Sequence, residues 1–113
     1  MLSIGGASPA VCRSLAAVVL FAVGTAGCAA PPRSYTVTID GLRYQPESLT
    51  VTVGDSVVWV NQDPFPHTAT SAGAFDSHTI DVGKSWTYKT TTAGTFAYAC
   101  TFHPTMKGTL VVK

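Results

Sequence analysis

The chain has 113 residues, of which only 12% are charged, and its formal net charge is +1. Of seven Lys/Arg, Arg13 alone precedes Cys28, which leaves six basic side chains against six Asp/Glu in the remainder. That neutral remainder argues against nucleic acid as a partner, because phosphate binding draws on clustered Lys/Arg and released counterions. No run of like charge marks a polybasic membrane patch.

The first element is an apolar run, Ser14 to Val23 (SLAAVVLFAV), preceded by Arg13 and followed by GTAG and Cys28. A positive flank, a short apolar core and small residues at the cleavage region are the layout of an export signal. A helix that spans a bilayer needs about 20 apolar residues, so residues 1–28 read as a signal peptide rather than a permanent anchor. Ala26, Gly27 and Cys28 resemble the cleavage box of bacterial lipoproteins, although Thr25 stands where that family prefers an aliphatic residue. The resemblance implies lipid on Cys28 and an exported domain held at the periplasmic or outer cell surface. Its only membrane contact is then the lipid anchor. Residues 29–34, AAPPRS, form a tether that Pro31 and Pro32 extend.

From Tyr35 onward the apolar residues recur with a period of two. Tyr35, Val37 and Ile39 alternate with Thr36, Thr38 and Asp40; Leu49, Val51 and Val53 alternate with Thr50 and Thr52. Ser56 to Asn61 (SVVWVN) is apolar on both parities and predicts a strand buried on both faces. Trp86 and Tyr88 begin a further strand, Phe96, Tyr98 and Cys100 share one parity of FAYAC, and Thr109 to Val112 closes the chain after a turn at Gly108. Short strands separated by Gly, Pro and Asp predict an all-β domain over 35–113, a sandwich or barrel of antiparallel strands without substantial helix. Trp59, Phe75, Trp86, Phe96 and Tyr98 are its expected core, and Asp63, Asp76 and Asp81 read as turn residues.

Of three cysteines, Cys12 would leave with the leader and Cys28 would be capped by lipid, leaving Cys100 a lone thiol in an oxidising compartment. Such a thiol staples nothing and points to metal ligation. Cys100, His103 and Met106 stand at C-x2-H-x2-M in YACTFHPTMK, and His67 lies 33 positions upstream of Cys100 in DPFPHTAT. Two imidazoles, one thiolate and a weak thioether are the ligand set of a blue-copper electron-transfer site. Pro104 limits the conformations of the loop between these residues. His78, outside the loop, reads as a solvent-facing residue.

The segments VGDSVVWVNQDPFPHT and AGTFAYACTFHPTMKGTLVVK resemble the cupredoxins, in particular the amicyanin- and plastocyanin-like small copper proteins, over nearly the whole exported domain. The resemblance implies a Greek-key β-sandwich of about eight strands with one type 1 copper at one end. His67, Cys100 and His103 are then the equatorial ligands and Met106 the axial one. Two positions depart from the pattern: Thr68 replaces an Asn that braces the cysteine loop, and Phe102 replaces a proline. A hydroxyl bridge from Thr68 to Thr101 is the expected substitute for the first.

These features predict a monomer that is not an enzyme and passes single electrons through the edge of His103. Pro64, Phe65, Pro66, Phe102 and Pro104 form an apolar docking ring for redox proteins. A copper enzyme needs a second centre, commonly from H-x-H pairs, and three histidines without such a pair do not supply one. Copper binding for delivery uses the same ligands and is the competing reading.

Overall fold

The computed structural model describes residues 30–113; the expected signal peptide, with Cys28, lies outside the described residues. Nine strands follow: β1 (Ser34–Ile39), β2 (Tyr44–Gln45), β3 (Ser48–Val51), β4 (Ser56–Asn61), β5 (Thr70–Ser71), β6 (Phe75–Asp76), β7 (Ser85–Lys89), β8 (Gly94–Ala99) and β9 (Lys107–Val112). They form a β-sandwich of two sheets, in the orders β2-β1-β4-β7 and β3-β9-β8-β5-β6. No helix occurs among the described residues.

Alternation decides which side chains enter the core. Val37 and Ile39 of β1, Val57 and Trp59 of β4, Tyr98 of β8, and Leu110 and Val112 of β9 all point between the sheets and are buried. Each such side chain contributes about 1.5–3 kcal/mol when removed from water. Trp59 joins the layers, with its ring 5.4 Å from Tyr98 and 5.5 Å from Phe75 between centroids. Trp86 and Phe96, expected in the core, are only partly buried against it.

The pairing differs from the antiparallel expectation. β1 runs parallel to β4, from Ser34↔Ser56 to Ile39↔Asn61, and β3 runs parallel to β9. Between β1 and β4 the chain visits the other sheet as β3, so it re-enters the first sheet in its original direction. Alternation within one strand carries no information on the direction of its neighbour.

The turn expected at Gly108 is not present. The residue lies inside β9 opposite Tyr98, and the tyrosine ring covers it. A Cβ there would lie 2.4 Å from Tyr98 Cζ, so this site needs glycine for close approach.

Parallel pairing sends β1 and β4 to the same end of the sandwich, where Asn61 leads into the loop before His67. β8 ends beside β5, with Ala99 paired to Thr70, so Cys100 emerges next to the His67–Thr68 segment. At the opposite end Asp55 accepts the backbone N–H groups of Arg33 and Thr52, both at 2.8 Å, and fixes the start of β1.

Candidate metal centre

Three segments build the site. The loop after β4 is shaped by buried Asn61, whose Nδ2 donates to the carbonyls of Phe65 (2.8 Å) and Ile80 (2.9 Å). Its Oδ1 accepts the N–H of Asp63 at 2.9 Å. The loop delivers His67 to an isolated antiparallel bridge with Ile80, closed by hydrogen bonds of 3.2 and 2.7 Å. His67 is fully buried as a result. Its backbone satisfied and its ring packed, it has little freedom.

The second segment is the turn after β8. Three backbone bonds close it: His103 N–H to Cys100 O, Met106 N–H to His103 O, and Cys100 N–H to Met106 O, at 3.2, 2.8 and 3.1 Å. Cys100 and Met106 are buried by this turn, whereas His103 keeps partial exposure. Cys100 is a free thiol.

The third element ties the first two together. Thr68 N–H donates to Cys100 Sγ at 3.3 Å. The Thr68 hydroxyl accepts the N–H of Thr101 at 3.0 Å and lies 3.4 Å from the Thr101 hydroxyl. The hydroxyl of Thr70 extends the chain to Thr68 Oγ1 and Asp76 Oδ1, each at 3.0 Å.

Nδ1 of His67 comes to 3.6 Å from Cys100 Sγ, and Nδ1 of His103 to 3.9 Å. All three ligand atoms lie within 4.8 Å of one another. Metal–nitrogen and metal–sulfur bonds of about 2.0 and 2.3 Å, at angles between tetrahedral and trigonal, separate the two atoms by about 3.5–3.8 Å. The 3.6 Å to His67 falls within that span and the 3.9 Å to His103 just beyond it, so one soft ion fits between the three donors. Met106 is buried beside them in the core cluster, its backbone bonded to both Cys100 and His103.

Pro64, Phe65, Pro66, Phe102 and Pro104 are all exposed, Phe65 and Phe102 by half each. Leu42, which the sequence did not single out, is another exposed apolar side chain, 44% accessible. Its N–H bonds the Asp63 carboxylate, which places it near the same end. His78 is a solvent-facing residue whose ring sits 3.7 Å from the Asp76 carboxylate, away from the donor set.

Sequence reading missed the role of Asp63. It is 3% exposed, lies 2.7 Å from His67 Nε2 through Oδ2, and accepts the N–H groups of Gly41 and Leu42 at 2.7 and 2.9 Å. Burial raises its pKa, but the N–H groups of Leu42 and Gly41 and the His67 ring outweigh burial and hold it below the ordinary carboxylate value. The i,i+4 spacing to His67 was visible, yet a DPFP loop gives no helix to make that spacing a contact. Tyr44 was missed too: its hydroxyl donates to the Thr68 carbonyl, and burial followed by the Cys100 charge pushes its pKa up.

The sequence profile of the Cupredoxin-like domain matches residues 13–112. Amicyanin of Paracoccus versutus is 26% identical over 123 residues, covering 88% of this chain and 93% of that protein. Plastocyanin of Scenedesmus fuscus is 33% identical over 86 residues, covering 64% and 88%. Among solved structures, a Cu(I) amicyanin variant superposes with a TM-score of 0.67 at 31% identity, covering 71% of this chain and 82% of that one. A reduced amicyanin variant bearing a proline-to-phenylalanine substitution gives 0.67 at 34% identity over the same shares.

Proposed function

The chain belongs to the cupredoxin-like family, and from that membership we propose that it is an exported, lipid-anchored type 1 copper protein that carries single electrons. The observation that supports this most is the convergence of His67 Nδ1, Cys100 Sγ and His103 Nδ1 within 4.8 Å. Met106, buried beside the three donors, would add a thioether donor to the ion in this reading. Copper held there supplies a reversible one-electron couple between Cu(II) and Cu(I).

The residues around the donors do the rest. Burial of His67 and Cys100 keeps bulk water from the thiolate. Thr68 N–H bonds the sulfur and withdraws electron density from it, which tunes the potential. The bonds from Thr68 to Thr101 and within the 100–106 turn hold both loops in one arrangement. A site that moves little between oxidation states exchanges electrons with little reorganisation. His103 is the partly exposed ligand, and its ring edge is the port to a redox partner. The surrounding Pro64, Phe65, Pro66, Phe102 and Pro104 suit a small apolar contact that releases quickly.

Lipid on Cys28, with the 29–34 tether, holds the domain near membrane-bound partners and raises their effective concentration. Mass spectrometry of the mature protein tests this: acylated Cys28 at the N-terminus supports it, and an unmodified N-terminus downstream of Cys28 refutes it.

Cyclic voltammetry of the copper-loaded full chain, with copper content measured before and after, separates carriage from delivery. A reversible one-electron wave with copper retained is expected. Copper lost to an acceptor chelator without a reversible wave would establish delivery instead.

A further inference from the structure

The two imidazole donors are held differently. His103 is partly exposed, whereas His67 is fully buried and hydrogen-bonded through Nε2 to Asp63 Oδ2 at 2.7 Å. An ionised carboxylate only accepts hydrogen bonds. The proton on His67 must therefore sit on Nε2, which leaves the Nδ1 lone pair free and facing Cys100 Sγ.

Asp63 is itself immobilised. Its N–H is held by Asn61 Oδ1 at 2.9 Å. Oδ1 accepts from Gly41 N–H and Oδ2 from Leu42 N–H, across more than twenty residues of sequence. Gly41 and Leu42 both have positive φ, 66° and 60°. A non-glycine residue in that region is disfavoured, so the carboxylate also retains a turn that leucine would otherwise avoid. One side chain thus joins the β1–β2 turn, the loop after β4 and a buried donor imidazole.

We infer that Asp63 is a positioning residue for His67: it selects the Nε2–H tautomer, fixes the ring, and places a negative charge behind one donor of the metal centre. This rests on the copper reading for its redox consequence, but not for the tautomer. A buried anion behind a ligand favours the more positive state of the bound ion, and a carboxylate behind a ligating histidine raises its basicity.

The test compares the wild-type full chain with Asp63→Asn, Asp63→Ala and the control Asp55→Asn. Asp55 caps backbone N–H groups in the same manner at the far end of the sandwich. Imidazole 15N shifts of the metal-free protein should show His67 in the Nε2–H form in wild type and in Asp63→Asn, whose amide oxygen still accepts. Asp63→Ala should give mixed tautomers. With copper bound, Asp63→Asn should shift the Cu(I)/Cu(II) preference toward Cu(I) by tenfold or more, a rise of about 59 mV for one electron. Asp55→Asn should change neither readout.

Retention of the pure Nε2–H form in Asp63→Ala would overturn the tautomer assignment. An unchanged potential in Asp63→Asn, or an equal shift in Asp55→Asn, would overturn the charge effect. If wild type forms no blue site, the copper reading fails on its own, and the metal-free shifts still decide the role of Asp63.

Discussion

Replacing Gly108 with alanine tests whether the site rests on the packing beneath it. The new Cβ would meet Tyr98 Cζ at 2.4 Å, the hydroxyl oxygen at 2.5 Å and Cε1 at 2.9 Å. The ring cannot retreat easily, since Tyr44 lies 4.6 Å and Trp59 5.4 Å from it between centroids, and Phe75 5.8 Å. Overpacking of this kind costs about 1–3 kcal/mol. For a domain of this size each kcal/mol lowers Tm by about 4–8 °C, so a fall of roughly 5–20 °C is expected. Thermal unfolding of the metal-free full chain, followed by circular dichroism, measures it. In a Tyr98→Leu background the same substitution should cost less, with a coupling of about 1 kcal/mol or more. A cost within about 0.5 kcal/mol of zero, or one unchanged when the ring is removed, would refute the reasoning.

Thr68→Val keeps the shape of residue 68 but leaves Thr101 N–H without its acceptor, and should cost about 1–2 kcal/mol in urea unfolding. Thr68→Ser, which retains the hydroxyl, should stay close to wild type. Asp55 is held below its ordinary pKa by the N–H groups of Arg33 and Thr52. Its stabilisation is therefore complete above the unfolded value of about 3.9 and is lost as pH falls through the lower folded value. Asp55→Asn should flatten the acid limb of the stability curve, and an unaltered limb would exclude this group as a cause. Phe65→Asp and Phe102→Asp should slow electron exchange with a redox partner protein by tenfold or more in stopped-flow measurements while leaving the visible spectrum in place; unchanged rates would remove the apolar ring from the docking surface.

The most local features were the most legible. C-x2-H-x2-M spans seven residues, and the turn over them brings His103 Nδ1 to 3.9 Å from Cys100 Sγ. The alternation in β1 and β8 follows directly from burial of one face, whereas β4, expected to be buried on both faces, fully buries only Val57, Trp59 and Asn61 on one of them. Strands β2, β5 and β6 are two residues each and carry no period to read. Parallel pairing of β1 with β4 depends on a crossover through the other sheet, which no single strand records. Gly108 looked like a turn because its neighbour across the ladder, Tyr98, lies ten residues earlier. Asp63 looked like a turn residue because its distant partners, Gly41 and Leu42, meet it only in the folded sandwich.

The central claim is that Cys100, His67 and His103 hold copper through a thiolate bond. Adding Cu(II) to the metal-free full chain and recording the visible spectrum tests it most directly. An intense blue thiolate-to-copper band, absent from Cys100→Ser, is the predicted result. A colourless wild-type protein, or the same band in Cys100→Ser, would contradict it.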